Sequence, residues 1–100
     1  MSVSEEDMNE PMLVDLEDIF DITVAEKFRT TLLEALNHSK SIELKAEKIE
    51  RADTSALQVL CAFFKDAKAK GIKVSWVNPT HALIESAKLL GLLSALELQA

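Results

Sequence analysis

Apolar residues recur along this chain at two alternating spacings. In three short segments every second position is apolar, which predicts strands over residues 12–17, 41–46 and 72–77. After each strand the apolar spacing changes to three and four residues, which predicts helices over residues 23–37, 54–70 and 79–90. Residues 92–98 fit either a short helical turn or a last edge strand.

The order β-α-β-α-β-α predicts an α/β fold, a small mixed β-sheet with helices packed on it. Segments 41–46 and 72–77 are joined by a helix and form a βαβ unit, so we expect them to lie parallel with a right-handed crossover. Residues 1–11 are acidic and poor in apolar side chains. They predict a flexible N-terminal tail before a domain over residues 12–100.

Helix ends are marked by capping residues. Thr23 and Glu26 have the spacing of a capping box, which predicts Thr23 as the N-cap of the first helix. Asn78-Pro79 predicts an N-cap followed by the first residue of the third helix. The two glycines of the chain, Gly71 and Gly91, are expected at helix C-termini in the left-handed conformation. The third helix is expected to turn Leu83, Ile84, Ala87 and Leu90 inward.

Composition narrows the function classes. One hundred residues with 48% hydrophobic content suit one domain with its own core. The formal net charge of −6 argues against binding to nucleic acid or to anionic lipid, and a protein partner fits better. Neither a transmembrane run nor a signal peptide is visible, and the single cysteine suits a reducing compartment. We therefore expect a cytoplasmic protein without membrane insertion.

The residues that carry most enzyme chemistry are sparse and scattered. Cys61 lies inside a predicted helix without a CxxC partner, and His38 and His81 belong to different elements. Nucleotide-binding glycine loops and a hydrolase nucleophile elbow are absent from the sequence. We therefore predict a non-enzymatic protein that needs neither a cofactor nor a metal.

Asp53-Thr54-Ser55 stands where a polar connection meets the strongly apolar second helix. Small polar residues at a helix start can cap its unpaired N–H groups. The same N–H groups and the helix dipole favour an anion, so a hydroxyl there is also a candidate phosphate acceptor. The residues alone leave both interpretations open.

The second helix is apolar on more than one side. Its core stripe is predicted to comprise Leu57, Leu60, Cys61 and Phe64. Ala56, Val59 and Phe63 remain on the neighbouring faces. Either this wide stripe packs deeply between the sheet and the other helices, or these three residues form a partner-binding patch beside Thr54.

Three segments of the chain resemble the STAS family, the sulfate-transporter and anti-sigma-antagonist domains. Arg51–Leu57 resembles the family's Asp-Ser/Thr motif between a strand and a helix, Lys68–Pro79 its helix end, glycine, strand and turn, and Ile84–Leu92 its final helix. The resemblance covers roughly residues 12–98. The chain departs from the family at Ala56, where glycine is usual, at Gln58, where a small residue is common, and at Lys45, where a carboxylate or Asn is frequent.

The resemblance implies a partner-switching function. It places a regulated phosphorylation site on Thr54, with Ser55 as second choice, and partner contacts on Asp53, Thr54 and Ser55, beside the possible partner-binding patch of Ala56, Val59 and Phe63. The implied partner is a serine kinase of the anti-sigma type, or a signalling assembly, and phosphate at Thr54 would abolish its binding. Asp53 would cap the helix and orient basic groups of the partner.

A second resemblance leads to a different partner. Arg51, two residues before the Asp-Thr pair, is also similar to the pattern of STAS subunits in phospholipid-type ABC transporters. That resemblance implies an accessory subunit that docks on the transporter ATPase, with Thr54 as a docking contact.

Overall fold

The computed structural model describes residues 11–38 and 41–99. The predicted tail lies almost entirely outside the described residues, so the division at residue 12 stays a prediction. In chain order the elements are β1 (Met12–Asp15), β2 (Ile19–Phe20), α1 (Ile22–His38), β3 (Ser41–Lys45), β4 (Arg51–Ala52), α2 (Thr54–Ala69), β5 (Lys73–Val77) and α3 (His81–Leu89).

Two parallel sheets organise the chain. The larger has the order β1-β3-β5, and its register places Leu44 of β3 between Val14 of β1 and Trp76 of β5. The smaller pairs β2 with β4. The α/β fold and the parallel βαβ unit are confirmed. Every strand pair among residues 11–38 and 41–99 is parallel, so no antiparallel partner of the predicted mixed sheet lies in this part of the chain.

The core lies where the larger sheet meets the helices. Ile42 and Leu44 alternate with half-buried polar residues along β3 and are fully buried. Leu57 and Leu60 of α2 are buried as completely. Burial of each such side chain contributes about 1.5–3 kcal/mol to the stability of the fold, and this burial holds α2 against the sheet. The Phe64 ring stacks on Trp76 at 5.7 Å between centroids.

The start of α1 corrects the predicted cap. Val24 N–H donates to Asp21 Oδ1 at 3.0 Å, and Ala25 N–H donates to the Asp21 carbonyl at 2.9 Å. Asp21 is therefore the N-cap, and the prediction of Thr23 is wrong. The reason is that β2 ends at Phe20, which leaves Asp21 as the single residue between strand and helix.

The start of α3 lies two residues later than predicted. Thr80, not Asn78, is the N-cap, and its Oγ1 accepts from Leu83 N–H at 3.2 Å. Asn78 has a φ of 50°, a left-handed conformation that Asn tolerates well and that turns the chain at the end of β5. Pro79 consequently precedes the cap instead of opening the helix.

Both predicted glycine termini are confirmed. Gly71 and Gly91 have φ values of 72° and 70°, and the residue after each donates its N–H back into the last helical turn.

Beyond Gly91 the chain forms a turn rather than a strand, and Leu96 is buried there. Leu90 is 41% exposed, so the predicted inward position is wrong for this residue. No helix in the described part of the chain is long and apolar enough to cross a membrane.

Candidate functional site

The small sheet brings two helix N-termini together. Asp53 N–H donates to the Phe20 carbonyl at 2.9 Å, across from β4 to the end of β2. Because α1 begins at Ile22 and α2 at Thr54, both helices start from this junction. Two-residue strands carry no readable period, and the sequence therefore predicted only a polar connection here.

Asp53 occupies the N-cap position of α2 without capping it. Its backbone is extended, and its carbonyl accepts from Leu57 N–H at 3.0 Å, as at an ordinary helix start. Its carboxylate makes no hydrogen bond to the helix and lies 3.4 Å from Arg51 Nε. The predicted side-chain cap is thus wrong. Both side chains are about half exposed or more, so this ion pair adds at most about 1 kcal/mol to stability.

Thr54 and Ser55 are exposed on the first turn of α2. Within residues 11–38 and 41–99, neither hydroxyl takes part in a hydrogen bond. The structure therefore leaves both hydroxyl groups accessible, beside a carboxylate and a guanidinium that face solvent.

The three other residues of the predicted partner patch differ in exposure. Ala56 is 0% exposed, so its side chain belongs to the core, and a direct partner contact by this side chain is ruled out. Val59 is half-buried. Phe63 is 5% exposed and packs edge-on against Phe64 at 5.9 Å between ring centroids. The deep-packing alternative is thus correct for Ala56, whereas Val59 and Phe63 also line a cavity.

That cavity is a groove of about 190 Å³ between α1 and α2. Its walls and floor are apolar, and one residue of each charge sign lies at its rim. The lining residues are Arg29, Leu32, Leu33, Leu36, Val59, Ala62, Phe63 and Asp66. The sequence did not reveal this groove because it depends on how the two helices pack. No local pattern marks it, although Leu33 of α1, which lines the groove, is an apolar residue that is 46% exposed in the structure.

The other groups considered for catalysis or metal binding are Cys61, His38 and His81. Burial raises the pKa of the Cys61 thiol, so the nucleophilic thiolate is scarce at neutral pH. His81 is exposed at the start of α3 and lies 3.8 Å from Glu85. His38 is the last residue of α1. Within the described ranges, no three His, Cys, Asp or Glu residues come together as metal ligands would.

Comparison with known proteins gives the same fold. The unphosphorylated form of the anti-sigma factor antagonist SpoIIAA superposes with a TM-score of 0.68 at 17% identity, over 80% of this chain and 71% of that one. The STAS domain of a SulP transporter from Vibrio cholerae gives a TM-score of 0.67 at 17% identity, over 95% and 71%. Identity at this level establishes the fold alone.

Sequence comparison establishes the family. No curated protein matches the chain. A family model described as "Mlab, STAS domain" matches residues 3–97, nearly the whole length. This chain therefore belongs to the STAS domain family.

Proposed function

We propose that the protein is a non-enzymatic regulatory module that binds a protein partner at the N-terminus of α2 and is switched by phosphorylation of Thr54. One observation carries the proposal: two accessible hydroxyls stand on a helix start whose own Asp does not cap it. Residues kept there for stability alone would be expected to bond to the helix. We call Arg51, Asp53, Thr54 and Ser55 the Thr54 surface.

A phosphate at Thr54 would change this surface strongly and the fold weakly. It adds a charge of about −1.5 to −2. The positive end of the α2 dipole tolerates that charge, because anions stabilise helix N-termini. A partner that binds the hydroxyl and the Asp53 carboxylate would instead meet a bulky dianion. Binding would be lost without unfolding.

The proposed partner is a serine kinase of the anti-sigma type or a signalling assembly. Support comes from the fold shared with SpoIIAA, an anti-sigma factor antagonist whose unphosphorylated form is the superposed structure. The formal net charge of −6 also suits a protein partner with a basic contact surface. Such a partner would be met in the cytoplasm, the compartment that the sequence predicts.

A second candidate partner is the ATPase of a phospholipid-type ABC transporter. Two observations favour it: Arg51 stands two residues before Asp53, a pattern similar to that of the STAS subunits of such transporters, and the matching family model is described by the name Mlab. In this alternative the Thr54 surface is a constitutive docking contact, and phosphorylation plays no part.

The first experiment tests the switch. The protein is incubated with ATP and the histidine-kinase-like ATPase encoded nearest to it, and phosphate is mapped by mass spectrometry. Phosphate is expected on Thr54 and lost in Thr54→Ala, while Ser55→Ala keeps it. Phosphate on neither residue with every neighbouring kinase would overturn the switch.

The second experiment separates the two partners. The tagged protein is co-purified with the candidate kinase and with the transporter ATPase, as wild type, as Thr54→Glu and as Thr30→Glu. Thr30 is exposed on α1 and controls for an added charge away from the Thr54 surface. We expect a complex with the kinase that Thr54→Glu abolishes and Thr30→Glu keeps. If the protein forms a complex with the ATPase and not with the kinase, its partner is the transporter ATPase and the kinase proposal is wrong.

A further inference from the structure

The Thr54 surface continues into the groove along one face of α2. Ser55, Val59, Ala62 and Asp66 follow each other at intervals of four, three and four residues, so they form one stripe on the helix. Three of them also line the groove: Val59, Ala62 and Asp66. A molecule bound along the groove therefore approaches Ser55 at the end of the groove that is nearest the N-terminus of α2.

The two helices that form the groove lie side by side in the same direction. Near their starts, Asp53 N–H bonds to the Phe20 carbonyl, and near their ends Lys70 Nζ lies 3.4 Å from Asn37 Oδ1. Arg29 is eight residues before Asn37, and Asp66 is four residues before Lys70. At a rise of about 1.5 Å per residue, the two charged residues are offset by about 6 Å along the groove.

These charges stand on opposite walls of the groove. Arg29 belongs to α1 and Asp66 to α2, and neither makes a salt bridge among the residues that the structure describes. Leu32, Leu36 and Phe63 are buried beneath them, whereas Leu33 is 46% exposed on the α1 side. An apolar groove with a cation on one wall and an anion further along the other selects an occupant by charge as well as by shape.

We infer that this groove binds an amphipathic helix of the protein partner, laid parallel to α1 and α2. Its apolar stripe fills the groove, an acidic side chain meets Arg29, and a basic side chain on the opposite flank meets Asp66 five or six residues later. Positions five or six apart lie about 140° or 120° around a helix, on opposite flanks, and span about 7.5–9 Å along it, comparable with the calculated offset of about 6 Å. Acid before base also suits the dipole of the bound helix.

The inference rests on the proposed function, because it gives the protein-binding module a second, larger contact. It also assigns a role to Val59 and Phe63, which are not part of the Thr54 surface. The mode is that of helix-in-groove recognition, in which apolar anchors give affinity and flanking charges give orientation.

Designed peptides test it directly. Helical peptides carry one apolar stripe with Glu on one flank and Lys on the other, five or six residues later, and control peptides carry Glu at both positions or Lys at both positions. Binding is measured by titration of ¹⁵N-labelled protein. We expect saturable chemical-shift changes at groove residues. For one of the two spacings, the Glu–Lys peptide should bind about three- to tenfold more tightly than either control peptide. The variant Arg29→Glu, which leaves two acidic residues at the groove, is expected to transfer that preference to the peptide with two Lys residues.

Two single variants test the apolar part. Leu33→Ser is expected to weaken peptide binding at least fivefold, because it removes the exposed wall of the groove. Leu89→Ser is the matched control, since Leu89 is 83% exposed on α3 and away from the groove lining. Equal losses in both variants would show non-specific apolar association and overturn the proposal.

The remaining outcomes are equally decisive. Absence of binding, or equal affinity for the Glu–Lys peptides and the same-charge control peptides, would overturn the proposal that the groove binds such a helix. A dimer in analytical ultracentrifugation that Leu33→Ser dissociates would show that the groove binds a second copy of this chain instead of a partner helix. Thr54→Ala should leave peptide affinity unchanged. Peptide binding without phosphorylation of Thr54 would thus refute the switch alone, whereas phosphorylation without peptide binding would refute the groove alone.

Discussion

The N-terminus of α2 differs from those of α1 and α3 in what its polar residue does. Asp21 and Thr80 each accept a hydrogen bond from the third N–H of their helix, at 3.0 and 3.2 Å. Asp53 occupies the same position, with an extended backbone like that of Thr80, yet its carboxylate lies beside Arg51. Of these three helix starts, the uncapped one is the start that exposes two hydroxyls.

The difference separates residues that maintain the fold from residues that are available for recognition. A side-chain N-cap is worth about 1 kcal/mol, and α1 and α3 use it. At α2 that stabilisation is forgone, and burial of Leu57 and Leu60 holds the helix instead. A polar group that the fold does not need can be chosen for what it binds.

The largest effect is expected at Thr80. Its Oγ1 accepts from Leu83 N–H and also donates to the Ile49 carbonyl at 2.6 Å, which ties α3 to the loop before β4. Thr80→Val keeps the shape and removes both bonds, so the free energy of unfolding should fall by about 2 kcal/mol. Urea denaturation at unchanged slope measures it. A loss below about 0.5 kcal/mol would show that the cap at α3 is dispensable.

A smaller effect is expected at Asp21. Asp21→Ala removes one cap bond to Val24 N–H and should lower the free energy of unfolding by about 1 kcal/mol. Thr23→Ala is the matched control, because Thr23 is exposed on the first turn and its hydroxyl makes no hydrogen bond to any other described residue. Equal losses in the two variants would restore the capping box that the sequence suggested.

The helix starts also show how far the sequence could lead. Alternation and helical spacing were sufficient for the three longer strands and the three helices, because burial on one face imposes the period. The caps at α1 and α3 were misplaced by two residues, since Asp21 competes with Thr23, and Asn78 with Thr80, and only the tertiary position of the preceding strand decides between them.

The location of the candidate site could be predicted from the sequence, whereas the burial of its individual side chains could not. The position of Asp53, Thr54 and Ser55 at a strand–helix junction followed from local pattern. Burial of Ala56 did not, because a helix that is apolar on several faces has no unique inward side until its neighbours are placed. The groove needed the packing of α1 against α2, which lies beyond any local signal.

The next prediction tests the comparison at α2 itself. Asp53→Ala removes a carboxylate that makes no cap bond and pairs with Arg51 only in solvent. The free energy of unfolding should change by less than about 0.5 kcal/mol, clearly less than in Asp21→Ala. A loss equal to that of Asp21→Ala would mean that Asp53 caps α2 in solution, and the distinction between the helix starts would fail.

The smallest effect on stability is expected at Thr54, where the effect on binding should be largest. Thr54→Glu places a negative charge on the first residue of α2, and the helix dipole favours it by a few tenths of a kcal/mol. Thr54→Gln has a similar size without the charge and serves as the control. Thermal and urea unfolding should show Thr54→Glu at least as stable as Thr54→Gln, while the partner complex is lost in Thr54→Glu alone. Loss of the complex together with loss of stability would instead make the charge a disruption of the fold, since a switch must change the surface and leave the domain beneath it intact.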